Sequence, residues 1–317
     1  QLYVNVTIDE QENAVREYKD KQGRIVLKKV QEVQPPGTGH AGWLCTYYVY
    51  DDFNNLKAVI PPQAVAEMDD ANNYGLVNDA LFSKNWLFLY KYDHRQRMIE
   101  KQVPGAEPVY MVYDKRDRLV LTQDGNQRAN NVWHFNKYDA LNRIVLTGLF
   151  DTTAVLEQHE MQSVVDTHYS EPAAQWYEEL GSSVHGYTNR SYPLVSEPDR
   201  YLTVTYYDGY GYPHASAYPF EPELGHSEEL SDVKGLVTGN KSKILDGSGL
   251  WLESVTYYDE KYRVIQVHMK NHKMRIDRAT NQYDFVGQIV SSLQTQGDGI
   301  TVLQEHYYDD AGRLVDT

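Results

Sequence analysis

A Tyr-Asp pair with Arg four residues after the Asp recurs along this chain, and a phrase repeated at near-regular spacing constrains the fold more than composition does. Aligned on its aspartate, the phrase occurs nine times, at Asp20, Asp51, Asp93, Asp114, Asp139, Asp208, Asp259, Asp284 and Asp309. Tyrosine precedes the aspartate in eight copies; the first has Lys19 there and Tyr18 one step earlier. Three residues after the aspartate stand Gly23, Asn54, Gln96, Asp117, Asn142, Gly211, Tyr262, Gly287 and Gly312. Seven of these nine are Gly, Asn or Asp, the types that accept a positive φ. Six copies then carry arginine: Arg24, Arg97, Arg118, Arg143, Arg263 and Arg313. The next position is apolar in eight, at Ile25, Leu56, Met98, Leu119, Ile144, Val264, Ile289 and Leu314, with Pro213 the exception.

This order of residues describes a β-hairpin. A strand arrives ending in Tyr, and the Asp side chain accepts backbone N–H groups across the bend. Two tolerant residues make a type I turn, a left-handed residue closes it with a bulge, and an apolar strand departs. The repeat-turn residues are therefore structural: Tyr113, Asp114 and Arg118; Tyr138, Asp139 and Arg143; Tyr258, Asp259 and Arg263; Tyr283, Asp284 and Gly287; Tyr308, Asp309, Gly312 and Arg313. Arginine is placed to pair with the Asp or to stack on a Tyr. Neighbouring copies lie 21 residues apart from Asp93 to Asp114, and 25 apart from Asp114 to Asp139, Asp259 to Asp284 and Asp284 to Asp309. That is the length of one hairpin with its connection. A lone hairpin cannot bury its apolar face, so neighbours must pair edge to edge. The expected fold is mainly β: a continuous twisted antiparallel sheet of hairpins, an open or partial shell or barrel, with inserted short helices.

Tyrosine is over-used, at 27 against 7 phenylalanines. Tyrosine suits strands whose ring packs while the hydroxyl stays near a polar partner. The net charge of −15, from 45 acids and 30 bases, excludes an extended nucleic-acid or anionic-membrane surface. No apolar run reaches membrane-spanning length, so no insertion is expected. A single cysteine, Cys45, rules out an intramolecular disulfide and a thiolate metal cluster. The sequence opens on Gln1 with no basic-then-apolar leader, which reads as a processed product or an excised piece.

Three segments break the rhythm. Pro61 to Asp70 reads as a short helix with prolines in its first positions, and 71–83 as loop plus a weak helical turn. In 151–200, Ala154, Val155, Met161, Val164 and Val165 fall at helical spacing. The run from Pro172 to Gly181 reads as a second helix. Residues 219–249 are rich in turn formers and read as loop. The expected organisation is hairpins over 1–150 with a helical insert near 61–83, a helical insert over 151–200, and hairpins over 201–317, all one continuous unit.

The phrase YDxxGRL resembles the YD repeat of Rhs-type proteins, teneurins and the shell subunits of insecticidal toxin complexes. Longer stretches such as VPGAEPVYMVYDKRDRLVLTQDGNQR, KYDALNRIVLTG and YLTVTYYDGYGYP are similar to large bacterial Rhs-repeat surface proteins. The resemblance covers nearly the whole chain. It implies a β-ribbon that spirals into a hollow shell, which in full-length members encloses a toxic C-terminal domain or serves as an extracellular scaffold. It also implies export to the cell surface or beyond, and as partners the remainder of a parent Rhs-type chain and its C-terminal toxin. This chain stops at Thr317 directly after a repeat, with no recognisable core segment or toxin domain. An open piece of wall is expected, and none of the family's cleavage residues is carried over.

Other motifs have plainer explanations. The GTGHAG of Gly37–Gly42 satisfies G-x-G-x-x-G but lacks the following helix of a dinucleotide site. His268 and His272 are four apart on a pattern that alternates like a strand, so no metal is expected. The acid–glycine turns lack the acid ladder of a calcium loop. Cys45 and His40 lie near each other in sequence, but Cys45 sits in an apolar run and reads as core. No cofactor or catalytic residue is expected. One ligand reading stands as the alternative: Trp43, Trp86, Trp133, Trp176 and Trp251, if exposed, would stack on sugar rings, making the chain a carbohydrate- or protein-binding module at the cell surface.

Overall fold

The computed structural model describes residues 2–317; Gln1, and the reading placed on it, lie outside. The fold is mainly β. Eighteen of the described strands belong to one antiparallel sheet that does not close, and two more form a small separate ladder. The chain divides into two compact units, one running up to Trp133 with Asp151–Thr167, the other comprising His134–Phe150 and His168–Thr317.

In the first unit, β1 (Tyr3–Ile8), β2 (Ala14–Lys19), β3 (Ile25–Gln31), β4 (Trp43–Tyr50) and β5 (Leu56–Ile60) follow one another, each antiparallel to the last. Helices α1 (Pro62–Asp70) and α2 (Ala80–Trp86) intervene before β6 (Phe88–Tyr92), β7 (Met98–Gln102), β8 (Val109–Tyr113) and β9 (Leu119–Gln123) continue the pattern. Pro62 opens α1 at a position where no intrahelical donor is required. The helix lays Ala64, Val65 and Met68 against Trp43, Cys45 and Ile60 of the sheet, and α2 adds Phe82. Helix α3 (Gly125–Ala129) carries a capping box between Asp124 and Gln127. Helix α4 (Gln158–His168) buries Met161 and Val165. Strands β7 and β8 pair at only two positions. There Gln158 donates to the Met111 carbonyl at 2.8 Å, and Gln162 takes both backbone groups of Tyr113 at 2.7 and 3.1 Å. Two amide side chains thus complete a gap in the ladder.

The second unit holds β10 (Val132–Tyr138), β11 (Ile144–Asp151), β12 (Tyr201–Tyr207), β13 (Val237–Lys243), β14 (Trp251–Tyr258), β15 (Val264–Lys270), β16 (Ile276–Tyr283), β17 (Ile289–Thr295) and β18 (Thr301–Glu305). From β11 onward each pairs antiparallel with the next. The short β19 (Tyr307–Tyr308) and β20 (Leu314–Asp316) form the separate ladder. Because direction alternates at every strand, the Tyr-Asp turns that join strands of a unit's sheet fall at the same end of it.

Four expectations need correction. The run from Pro172 to Gly181 is not helical. Its backbone is held extended because the Glu178 N–H donates to the Tyr138 carbonyl at 2.8 Å and Leu180 bridges to Tyr187. Ala154 and Val155 precede α4, and Val155 and Val164 are exposed. Residues 237–243, read as loop, form β13; Gly239 lies under the Tyr212 ring, where a Cβ would come within 2.3 Å of the phenol oxygen. Lastly, Asp208 makes no hairpin. It takes φ +67° itself, its N–H reaches Leu236, and the chain leaves on an excursion before β13. Pro213, five residues on, has no N–H for a return strand.

The turns themselves generate a prediction. Gly287 has φ +96° with nothing within 4 Å of a Cβ built on it. Replacing it with alanine therefore meets only backbone cost, expected at roughly 1–2 kcal/mol. Gln96 holds φ +61°, so Gln96→Gly should shift stability the other way by about 1 kcal/mol. Urea unfolding of both variants reads the effect; unchanged midpoints would remove the backbone account.

Candidate functional site

Eight of the nine phrases close the same three-residue loop. The third residue is left-handed in each: Gly23, Asn54, Gln96, Asp117, Asn142, Tyr262, Gly287 and Gly312. Its N–H donates back to the aspartate carbonyl, and the aspartate N–H donates to the carbonyl of the fourth residue. One carboxylate oxygen, Oδ1, accepts the N–H groups of the second and fourth residues at 2.8–3.0 Å in all eight. The other oxygen, Oδ2, receives the Nε–H of the arginine at 2.6–2.8 Å in the six copies that have one. Asn55 replaces it at 3.0 Å in the second copy. Just past each turn the return strand carries one extra residue: Tyr18 faces Leu27 while Lys19 faces Ile25, and the same shift recurs at Tyr50, Tyr92 and Tyr113.

The tyrosine and arginine act between copies. In five places the phenol O–H donates to a backbone carbonyl of the preceding hairpin, always that of the residue five after its aspartate. These bonds join Tyr50 to Ile25 at 3.1 Å, Tyr92 to Leu56 at 3.1 Å, Tyr113 to Met98 at 2.8 Å, Tyr283 to Val264 at 2.8 Å and Tyr308 to Ile289 at 2.9 Å. The arginine of one copy lies over the tyrosine ring of the next. The guanidinium carbon is 4.7 Å from the ring centre for Arg24 on Tyr50, 4.8 Å for Arg97 on Tyr113, 4.1 Å for Arg143 on Tyr207 and 4.6 Å for Arg263 on Tyr283. It also reaches the next turn: Arg97 donates to the Asp114 carbonyl at 3.1 Å and Arg263 to that of Asp284 at 2.9 Å. Each phrase is thus half of a clasp that fastens hairpin to hairpin. Burial pushes the phenols of Tyr50, Tyr92, Tyr113 and Tyr283 above their usual range. Burial opposes ionisation of Asp93 and Asp259 too, but the hydrogen bonds from Arg97 and Arg263 hold both carboxyls below the usual range.

Two further turns of this kind escape a search keyed on tyrosine. Asp9 accepts from Gln11 and Asn13, with Glu12 left-handed; Asn271 accepts from Lys273 and Arg275, with Met274 left-handed. The usable signal was an Asp or Asn with a basic or amide residue four positions on. Asn271 also demonstrates that an amide oxygen performs the backbone part of the job.

The tryptophans divide. Trp43 and Trp133 are 6% and 0% exposed, so neither offers a face to a sugar, which corrects the stacking reading for these two. Trp86 is half-buried against Phe82, Trp176 stacks on Tyr169, and Trp251 is half-buried beside Lys241 and His185. GTGHAG forms the link between β3 and β4. In it His40 bonds the Asp69 carboxylate and the Tyr47 phenol, at 2.8 and 2.7 Å. Cys45 is buried, and burial pushes its thiol up. His268 is buried on β15 while His272 is exposed in the following turn. Asp124 of the first acid–glycine turn caps α3. Among the described residues no group of three or more His, Cys, Asp or Glu is placed to hold a metal.

The second unit also contains a buried ion pair. Lys137 and Glu178 face each other at 3.1 Å with no side-chain exposure. Burial pulls the Lys137 ammonium down, and its remaining bond goes to Asn189 at 2.6 Å. Burial disfavours the Glu178 carboxylate, but Lys137, the hydroxyls of Ser191 and Thr188 and the Ser191 N–H hold it below the usual range.

No family model and no curated protein matches the chain. Among solved structures it is similar to a chain of a mutant Tc holotoxin pore of Photorhabdus luminescens, at 13% identity and a TM-score of 0.34, over 97% of this chain and 17% of that one. It is likewise similar to a chain in the crystal structure of TcdB2-TccC3-Cdc42, at 13% identity and a TM-score of 0.34, over 96% and 17%. A chain in that of TcdB2-TccC3 aligns at 11% identity and a TM-score of 0.34, over 96% and 16%. The chain therefore spans under a fifth of the length of each.

Two predictions rest on this geometry. Asp93→Ala should cost about 2–3 kcal/mol, since two N–H groups and a half-buried arginine lose a charged acceptor. Asp93→Asn should cost less, because the amide keeps the backbone bonds. At Asp309, whose partner Arg313 is 80% exposed, the arginine's share should fall to about 0–1 kcal/mol. Thermal unfolding of the Ala and Asn variants at Asp93 and at Asp309 tests the order, and an equal loss at both sites would contradict it. In the buried pair, Glu178→Leu should cost about 3–5 kcal/mol by leaving Lys137 with one neutral partner. Lys137→Met should cost less, because the carboxylate keeps its hydroxyl and backbone donors; the reverse ranking would assign the network's stability to the lysine.

Proposed function

We propose that this chain is a non-enzymatic wall segment, a YD-repeat scaffold of the Rhs type, whose work is to hold a rigid sheet of hairpins in fixed register. The observation that supports this reading is the serial clasp. Five tyrosine hydroxyls and four arginine stacks recur within the two units, each joining one copy of the phrase to the copy before it. The phrase has little left over for catalysis. Both oxygens of each arginine-bearing turn carboxylate are engaged, the tyrosines donate to backbone carbonyls, and burial moves the phenols of Tyr50, Tyr92, Tyr113 and Tyr283 further from ionisation at neutral pH. Function here is mechanical, and the partners are other hairpins: the rest of a longer exported chain, and a toxic domain enclosed by it. Residence outside the cell belongs to the same proposal. Among the described residues no helix is long and apolar enough to cross a membrane. The binding-module alternative draws no support from Trp43 or Trp133, which are buried.

A wall built this way should extend by whole hairpins. At the C-terminal edge Leu314 and Val315 are 54% and 63% exposed, and Arg313 has its own Asp309 as ion-pair partner with its guanidinium facing solvent. Appending a second copy of residues 270–295 after Thr317 would bring the Tyr283 phrase to that edge. The added strands should become protected from amide exchange, and Arg313→Ala or Tyr→Phe in the added phrase should weaken that protection about five-fold or more, the worth of one bond. Appended residues that exchange like an unfolded peptide would overturn the wall reading.

A further inference from the structure

Residues 209–236, the excursion that replaces the sixth hairpin, lie as a strap on the sheet of the second unit. Tyr212 donates to the Thr238 carbonyl at 2.7 Å, Tyr218 to Glu253 at 3.0 Å, and Tyr257 of β14 donates back to the Tyr218 carbonyl at 2.6 Å. Farther along, the Glu221 backbone and the Gln266 side chain exchange two hydrogen bonds, at 2.9 and 2.8 Å. Glu223 takes the Arg278 guanidinium and the Thr280 hydroxyl. His226 bonds the Asn281 carbonyl at 2.8 Å, and the Leu230 N–H donates to the Tyr258 carbonyl at 2.8 Å.

Two imidazoles are trapped by this arrangement. His214 belongs to the strap and is 8% exposed; its rings of contact are Tyr206, Tyr212 and Tyr218. Its Nδ1 is buried without a hydrogen-bond partner, and Nε2 stands 3.4 Å from the Ser254 carbonyl. His268 belongs to β15 and is 2% exposed; it lies between Tyr218 of the strap and Tyr257, with Nε2 at 2.9 Å from the Gln266 amide oxygen. The charges that face them are already matched. Glu253 on β14 is shared by Lys241 of β13, Lys270 of β15 and the Tyr218 phenol. Arg278 of β16 is taken by Glu221 and Glu223 of the strap. Among the described residues, the carboxylates beside the two imidazoles, Glu253, Glu221 and Glu223, are already paired with Lys241, Lys270 and Arg278.

We propose that the strap is an acid-released cover: protonation of His214 and His268 destabilises its seat on β13–β16 while the hairpin sheet beneath stays intact. The sign follows from burial, which lowers both imidazoles, His268 from 6.5 to about 4. The seated strap binds fewer protons than the lifted one throughout that interval, so lifting becomes easier as pH falls from 6.5 and gains nothing more below about 4. For His268 alone the lifting equilibrium shifts by about 300-fold across the window. Lifting uncovers Tyr257, His268 and Gln266, an aromatic and polar sheet face.

Hydrogen exchange of the full chain, followed by mass spectrometry and corrected for intrinsic rates, reads this directly. Peptides from 210–236 should lose protection steeply between pH 6.5 and 4 while peptides from β14 and β15 keep theirs. In His268→Gln the loss should be at least ten-fold smaller, and His214→Gln should reduce it independently. A flat wild-type profile for the strap overturns the proposal without any variant having to fold. So does simultaneous loss in β14 and β15, or an unaltered profile in both variants.

Discussion

The rest of the structure depends on one carboxylate oxygen that accepts two backbone N–H groups. A three-residue loop with a left-handed third position brings the N–H groups of the second and fourth residues to the same side, where water alone would otherwise satisfy them. The aspartate Oδ1 collects both at 2.8–3.0 Å in the eight hairpin copies. This fixes which residue turns, and therefore which residue faces which across the ladder. Register in a sheet is otherwise a one-residue slip away from inverting every side chain. The cap removes that freedom at every second connection except the one after Asp208, and in doing so compels even Gln96 and Tyr262 into left-handed backbone.

Once the turn is fixed, the other two residues of the phrase acquire defined positions. Arginine leaves the turn with its Nε on the same aspartate, so its guanidinium plane projects sideways over the neighbouring hairpin. A planar cation with several donors can stack on a ring and still reach a carbonyl, which a lysine cannot do. The ring it meets must be flat, apolar on its face and capable of donating at its rim. Tyrosine meets all three conditions and phenylalanine only two, which accounts for the tyrosine in eight of the nine phrases. No single clasp is strong: a phenol hydrogen bond contributes about 1 kcal/mol and an exposed cation–π contact about 0.5–1. Their effect is lateral, since each joins a hairpin to a neighbour that cannot bury its own face alone.

Much of this was legible in the sequence because the governing contacts are local. The turns, the left-handed positions, the all-antiparallel class, α1 and the short helix before β6 follow from spacing alone. What was not legible depends on partners far away along the chain. The run from Pro172 to Gly181 has helix-compatible residues, yet Glu178 is needed as an acceptor 41 positions from Lys137. Strand β13 looks like loop because Gly239 and Ser242 carry little β preference, and only the Tyr212 ring lying on Gly239 explains the glycine. The clasp was half-visible: pairing and stacking of the arginine were both foreseeable, but not that the pairing is within a copy and the stacking between copies. Trp43 and Trp133, offered as sugar-stacking only if exposed, are buried, and an indole among polar neighbours in sequence gives no sign of which sheet face it takes.

The failure at Asp208 makes the logic of the phrase clearer than its successes do. With Pro213 where the return strand should begin, the carboxylate has no turn to cap. It instead accepts the Gly235 N–H at 2.6 Å and the Arg143 guanidinium of the preceding copy at 3.0 Å. Tyr207 still receives the Arg143 stack. The lateral half of the clasp therefore survives the loss of the hairpin half, so the two are separable uses of the same three residues. That separability permits a wall to carry insertions: the strap departs at a position where its neighbour is already fastened, and β12 and β13 still pair in register across it. The excursion between β11 and β12 falls in sequence between Arg143 and the Tyr207 ring it covers, and that stack is still made. Both large excursions of the second unit leave and rejoin at strand ends, where the clasp geometry is left whole.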